Sequence, residues 1–508
     1  MNIEQMSASK IYKKLSDKRQ YFIDRAKDAS ALTIPQLYPE EVTDQETKTY
    51  ATPFQSLGAR GVNNLANKII LTLFPPATAF FKFGINPLIL KKLKKGEGEV
   101  DSALQALEKG IVEEMEHSQL RSTLVDMLKQ LIVGGSSLIH VPVDDDPRTI
   151  PLARFVCKRS KTKKILTLCI QEQVVFQELD KATQDQLTDL TEKERDGSKE
   201  LDLYTLIQRN DSGKLEVIQE IKGNKIEGTK GVYTDKTLPY VFVPFVDRGQ
   251  DYGRSYVEDF IGDLRSYEGL RKSILEAAAE AARLIYVLKP NSVLDVNELQ
   301  RANSGDVLLG NPDDVGVVQA DKRLEVGMAT SESEVLRMDL STIFLLDSSV
   351  RRNAERVTAE EIRRVSQELE VALGGIYSTL ANVLQEPLVQ LYLKRLVKKG
   401  MIDQSFLKEI KLEVTTGSAA LGRGTEFSAL TAFTDFAQSA LGEQFGSFMK
   451  VPELLNRAAT SLDVNTAELI KTADELIAEQ EAQKQQEMAL AATAPAINAA
   501  AKQEEQQG

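Results

Sequence analysis

The chain has 508 residues, with 63 Lys and Arg against 75 Asp and Glu, a formal net charge of −12. That balance excludes a static nucleic-acid binder, which needs a broad basic surface to neutralise phosphates, but not a protein that lets DNA slide past. Hydrophobic residues make up 42% and charged residues 27%, so the chain can bury real cores and is not disordered as a whole, and at roughly 150 residues per domain the length fits two to four domains or one elaborated fold.

The first 140 residues read as helices. In "TPFQSLGARGVNNLANKIILTLFP", Thr52 is placed as an N-cap, Pro53 sits at the first helical position and Gln55 follows three residues after the cap. Phe54, Leu57, Gly61, Leu65, Ile69 and Phe74 fall near helical spacing, and the helix should end before Pro75. Further helices are predicted over 100–117 and 122–133, the latter stopped by Gly134 and Gly135. From Ser137 the period changes. "SLIHVPV", "KILTLCI", "EQVVFQE", "LDLYTLIQ" and "KLEVIQEI" are short β-branched runs, and "NDSGK" at Asn210–Lys214 is a turn between two of them. The region 137–247 is therefore β-rich.

Helices return at "YGRSYVEDFIGDLRSYEGLRKSILEAAAEAARLIYVLKP". Ser255 and Glu258 form a capping box. An apolar stripe from Val257 through Phe260, Leu264, Tyr267, Leu270, Ile274, Ala278 and Ala281 to Ile285 predicts one helix over 255–285. About 30 residues at 1.5 Å rise is roughly 45 Å. A mixed segment with Gly and Asp turns follows, then a helix near 331–346 with Ser331 and Glu334 as its capping box. This pattern suits a protruding hairpin of helices with a small module at its tip, packed side by side with neighbouring copies. Next comes "LLDSSVRRNA", with two adjacent arginines, then a long helix opened by Thr358 and Glu361. Its apolar face runs from Ile362 through Val365, Leu369, Leu373, Ile376, Leu380, Leu384 and Leu388 to Leu391. Gly374, Gly375 and Pro387 lie inside it, so it should bend. A strand "IKLEVTT", a loop "GSAALGRGTE" and two or more helices to about Ala478 complete the ordered part, and 479–508 reads as a disordered or frayed tail.

The search for chemistry finds little. Cys157 and Cys169 are the two cysteines, so no disulfide framework is expected and a reducing compartment fits. No HExxH, GxSxG or Rossmann fingerprint occurs. Of the two histidines, His140 lies in an apolar strand-like run and reads as a core residue, not a ligand. In "GSAALGRG" the spacing of Gly417 and Gly422 resembles a phosphate loop, but Arg423 and Gly424 stand where lysine and Ser/Thr would be needed, so a turn is favoured. Asp144–Asp146 reads as a solvated turn before Pro147, and "KRSKTKK" at Lys158–Lys164 as a solvated hairpin tip. No apolar run reaches the roughly 18 residues of a membrane span; the longest, "IILTLF", stops at Pro75. "MNIEQMSASK" has no apolar signal core. The expectation is a soluble intracellular product that needs no cofactor or metal and has no catalytic residues.

Six segments in order, "TIPQLYP", "TPFQSLGARGVNNLANKIILTLFP", "LKQLIVGGSSLIHVP", "YGRSYVEDFIGDLRSYEGL", "SGDVLLGNPDDV" and "ERVTAEEIRRVSQELEVALGGIYSTL", carry a resemblance. Over about residues 10–475 the chain resembles the head-to-tail connector, or portal, family of short-tailed phages (podoviruses of the coliphage type with their own RNA polymerase gene). The resemblance implies an α+β, mainly α, portal fold, assembled as a ring, commonly of twelve subunits, around a central channel. It implies a wing over 1–250, stem helices over 251–285 and 326–346, a clip over 286–325, a tunnel loop over 347–356, a long kinked helix over 357–398 and a crown over 399–478. Ser348, Ser349, Arg351 and Arg352 would face DNA in the channel, and Leu264, Leu270 and Ile274 would meet a neighbouring subunit. The implied partners are double-stranded DNA, the large terminase subunit that carries the packaging ATPase, the major capsid protein, the scaffolding protein and tail tube or adaptor proteins. The implied place is the capsid portal vertex of the virion, after assembly in the host cytoplasm without a membrane. Two other classes remain open: an oligomeric scaffold without a DNA channel, and an enzyme with an unrecognised site.

Overall fold

A computed structural model of the chain describes residues 6–39, 51–75, 80–84, 97–282, 285–318, 323–346, 359–402, 413–415, 423–442, 445–449, 451, 454–455 and 458. The chain divides into two units, 1–417 and 418–508. In the first, four helices, Ala8–Ala31, Leu57–Leu73, Glu97–His117 and Leu120–Gly134, contribute to one continuous apolar core. Ser7 caps the first helix by accepting from the Lys10 backbone N–H.

The helix predicted from Thr52 starts later, at Leu57, and Thr52 is not its cap. The reason is not local. The Glu268 carboxylate accepts the backbone N–H groups of Phe54 and Gln55 at 2.8 and 3.2 Å. Gln55 Oε1 then accepts from Gly58 N at 2.8 Å and does the capping from one turn further on. The helix ends at Leu73, before Pro75, as its sequence predicts.

The β-rich region is present. Phe155–Arg159, Ile165–Val174, Leu201–Arg209, Leu215–Ile221 and Asn224–Lys225 form an antiparallel meander, with Gly231–Tyr233 also paired to Leu215–Ile221. Asn210 Oδ1 accepts from Lys214 N at 2.9 Å and closes the predicted turn. A smaller sheet places Ser136–His140 between Tyr240–Pro244 and Arg148–Ile150. A third pairing joins Lys82–Gly84 to Glu413–Thr415.

The helical hairpin differs from its prediction at both ends. Ser255 Oγ does accept from Glu258 N, at 3.1 Å. The turn it caps is a 3-10 turn, Val257–Phe260, and the α-helix runs Ile261–Ala281, about 31 Å at 1.5 Å per residue. Ile285, assigned by its spacing to the helical stripe, begins the strand Ile285–Leu288, which pairs antiparallel with Val315–Val318. The return helix is Arg323–Ile343. Ser331 lies inside it, its hydroxyl donating to the Gly327 carbonyl at 3.1 Å, so Ser331 and Glu334 are not a capping box.

The long helix is broken as its glycines and proline predict. It divides into Ala359–Leu373, Ile376–Leu380, a π turn over Ala381–Gln385, and Glu386–Lys398. Gly374 takes φ +58, a left-handed backbone that ends a helix and that a side chain would disfavour. Pro387 brings no N–H to its helix, and the turn just before it is the one that widens. Val365, Leu369, Leu373, Leu380, Leu384, Leu388 and Leu391 are all buried.

Of the second unit, the described residues include the helix Arg423–Leu441 and the turn Phe445–Phe448. The loop expected through Glu426 gives way to helix at Arg423. The predicted tail, 479–508, lies outside the described residues.

Candidate subunit-contact and channel site

The outgoing helix, Ile261–Ala281, and the return helix, Arg323–Ile343, pack against each other. Between them in sequence lie a two-stranded sheet, the short helix Val296–Arg301 and the 3-10 turn Pro312–Asp314. On the return helix, Ser333 and Leu340 are buried, and Leu336 is half-buried against the core. On its opposite side, at 3.6 residues per turn, Leu324, Met328, Val335 and Met338 form an apolar ladder that is 83, 75, 52 and 54% exposed. A helix apolar on both sides belongs between two partners, and a single chain supplies one. The tip adds Val293, Val307 and Leu309, all almost fully exposed.

The three residues expected at a subunit contact divide. Leu264 is buried in the chain's own core and presents no surface to a neighbour. Leu270 and Ile274 are half-buried and keep accessible surface. Ser348, Ser349, Arg351 and Arg352, together with Thr358, lie outside the described residues.

The return helix ends in a set of bonds supplied by other elements. Tyr256 Oη donates to the Ile343 carbonyl at 3.0 Å. Asn64 Nδ2 donates to the carbonyls of Phe344 and Leu345 at 3.0 and 2.8 Å. Lys68 Nζ donates to the Leu345 carbonyl at 3.0 Å and stands 3.4 Å from both Glu368 carboxylate oxygens. These bonds satisfy carbonyls that a helix end leaves without partners in the helix. The Phe344 ring is fully buried over Gly61, where an added Cβ would lie 2.5 Å from a ring carbon. Leu345 itself holds φ +55, a conformation leucine adopts rarely. Burial pushes the Lys68 ammonium down, and Glu368 opposes that shift.

Reading apolar periodicity alone passes over Asn64, Lys68, Tyr256 and Glu268. The only hint is the lysine in "NKIILTLF", placed one residue before an apolar run, while the exposed Arg60 and Asn67 of the same helix show why polar residues there do not by themselves mark a buried joint.

The remaining candidates are structural. His140 stacks on Tyr240 at 4.2 Å, and burial, with Arg148 alongside, pushes its pKa down to about 3. Asp144 pairs with Lys398 at 2.8 Å, and the Asp145 carbonyl accepts from Arg395 at 2.8 Å. The basic run is a hairpin tip in which Lys158 and Arg159 pair with Asp251 and Asp247 at 2.9 and 2.8 Å. Lys161 and Lys164 are exposed. Cys157 and Cys169 are buried free thiols. Among the described residues no cluster of three or more His, Cys, Asp or Glu is placed to hold a metal, and no helix is long and apolar enough to cross a membrane.

The chain is similar to known proteins over nearly its whole length. The portal protein of Escherichia phage T7 is 33% identical over 496 residues, 95% of this chain and 90% of that protein. The portal protein of Enterobacteria phage T3 is 32% identical over 478 residues, 92% and 88% of the two. That of Enterobacteria phage SP6 is 28% identical over 437 residues, 84% and 82% of the two. Among solved structures, a chain from the neck of a native gene transfer agent particle covers 80% of this chain and 90% of its own at 11% identity, with a TM-score of 0.33, too distant a likeness to bear on the assignment. The family model for bacteriophage head to tail connecting proteins matches residues 5–418, and the chain belongs to that family.

Proposed function

We propose that the chain assembles with copies of itself into a ring, with the helical hairpin as the ring's stem, the tip as its clip and the arginine-bearing segment lining a channel for double-stranded DNA. The observation that carries this reading is the two-sided return helix. One side packs within the chain, and the ladder of Leu324, Met328, Val335 and Met338 faces outward. Exposed apolar surface of this length marks a protein contact, and a copy of the same chain is the partner a ring requires. Leu270 and Ile274 on the outgoing helix are assigned to the complementary side. Residues 1–250 form the wing, 399–478 the crown, and the ring stands at the vertex of the virion where head meets tail. There it meets the capsid and scaffolding proteins, the terminase that supplies ATP hydrolysis, and the tail proteins.

An acidic chain suits such a channel. A ring repeats every charge of the 347–356 segment once per subunit, so a few arginines form a positive band while the acidic remainder limits sticking. Strong binding would impede passage, because each phosphate contact must break as DNA advances. The test is direct. End-on images of the purified particle should show a ring with a central pore. In a packaging assay, rings bearing Arg351→Glu and Arg352→Glu should assemble normally but package or retain less DNA. A particle without a pore would favour the scaffold reading. Rings with both glutamates that package like the parent would remove these arginines from the channel.

A further inference from the structure

We propose that Lys68 is a positioning residue for the arginine-bearing segment, tying together the chain just before it and the helix just after it. The tie itself is built from described residues. That it bears on DNA rests on the channel reading above.

Lys68 sits in the middle of the apolar helix Leu57–Leu73 and is 3% exposed. A lysine directed at solvent would escape the desolvation that burial imposes, so its inward placement calls for partners, and among the described residues two of them lie on different elements. One is the Leu345 carbonyl, at 3.0 Å, just beyond the return helix. The other is the Glu368 carboxylate, at 3.4 Å, in the helix Ala359–Leu373. Segment 347–358 begins and ends between them. Both flanking elements also pack on the Leu57–Leu73 helix.

The rest of the joint acts in the same sense. Gly61, Asn64 and Lys68 occupy successive turns of one helix face. Gly61 receives the Phe344 ring, Asn64 takes two carbonyls and Lys68 takes the third contact along with the far carboxylate. Leu345 is held in the left-handed region, a backbone that persists where its surroundings over-determine it. Glu368 lies about 14 Å along its helix from Ala359 at 1.5 Å rise per residue, so the tie fixes one end of the segment and the helix that carries the other, which limits the conformational freedom of the chain between them.

The experiment uses assembled full-length particles and two substitutions. Lys68→Met removes the ammonium and keeps an apolar stem of similar length. Glu368→Gln acts on the more exposed partner and leaves the Leu345 bond in place. Limited trypsin digestion followed by mass analysis measures cutting after Arg351 or Arg352 relative to cutting at the exposed hairpin tip, Lys161–Lys164. Global loosening raises both rates, whereas loss of the tie raises the first alone. The ratio should rise about tenfold in Lys68→Met and about threefold in Glu368→Gln, because cleavage follows the open population of the segment. An unchanged ratio in both variants overturns the proposal. If Lys68→Met does not assemble, an unchanged ratio in Glu368→Gln overturns it alone. A raised ratio with reduced DNA packaging supports the tie and the channel reading together. A raised ratio with parental packaging supports the tie and removes the channel reading.

Discussion

Replacing Met328 with Asp tests the outward ladder of the return helix. Fully burying one large apolar side chain contributes about 1.5–3 kcal/mol. The exposures of Leu324, Met328, Val335 and Met338 amount to somewhat more than two and a half whole side chains, so covering the ladder contributes roughly 4–8 kcal/mol per subunit contact. That is comparable with the lower range of what association costs in lost freedom, about 4–15 kcal/mol, so assembly should be sensitive to any one rung. Met328→Asp removes roughly 1–2 kcal/mol of burial and adds a desolvated carboxylate costing several kcal/mol more. The combined penalty per contact exceeds a thousandfold in affinity at 1.4 kcal/mol per tenfold, and a closed ring incurs it at every contact. Met328 touches little of its own chain, so the melting of the isolated subunit should not change. Mass photometry at a fixed protein concentration should show subunits or open fragments, while Met328→Leu, which keeps the apolar rung, should assemble. Rings at parental yield from Met328→Asp would show that the ladder is not a subunit contact.

Other consequences follow from the packing. Glycine to alanine inside a helix ordinarily stabilises by about 0.5–1 kcal/mol. Gly61→Ala should do the opposite, by about 1–3 kcal/mol, because its Cβ would sit 2.5 Å from the Phe344 ring; calorimetry reads the sign. Glu114 is buried beside Arg395 and Lys399, at 2.7 and 2.6 Å, and Glu114→Ala should cost about 3–5 kcal/mol in denaturant unfolding by leaving Arg395 buried without its carboxylate. Burial pushes the Glu114 carboxyl up, but Lys399 and Arg395 outweigh it and hold it below the usual range. Its stabilising contribution is therefore complete above the unfolded value of about 4.3 and is lost as pH falls through the lower folded value. Glu114→Gln should show a shallower loss of stability on acidification than the parent. Burial pushes the Cys157 thiol up to about 12 and raises Cys169 as well, so a thiol reagent at pH 8 should modify neither until the protein unfolds, and fast modification of the native particle would contradict the packing described for them.

What the sequence made legible was whatever local pattern decides. The meander, the turn at Asn210–Lys214 and the break at Gly374 follow from β-branched runs, a turn asparagine and a glycine. The return helix was mislocated because Ser331 and Glu334 imitate a helix start, while its true beginning at Arg323 lies in a stretch with Gly327 and scattered apolar residues. Those scattered residues include the ladder, invisible to a search for a single stripe because the helix has two. Thr52 failed as a cap because Glu268, more than two hundred residues away, takes the N–H groups that a helix would have used. The same distance hides the joint at Lys68, which brings together the helix Leu57–Leu73, the end of the return helix and the helix Ala359–Leu373. Ser348, Ser349, Arg351 and Arg352 stand on family resemblance and on the flanks that the joint holds.

The π turn at Ala381–Gln385 bears on how this helix tolerates changes in length. A turn closed by i→i+5 bonds holds one residue more than an α turn, so it absorbs an insertion without rotating whatever comes next. Beyond it, Tyr392 and Arg395 must face inward, the first to its hydrogen bond with Ser118 and the second to Glu114. In a regular helix one extra residue would swing both by about 100°, out of the core. Asn382 is the exposed member of the turn, and deleting it should let the helix close to α geometry with Tyr392 and Arg395 still inside, whereas deleting Val397, where no widened turn exists, should displace Lys399 from Glu114. Thermal melting of the two deletions separates these outcomes.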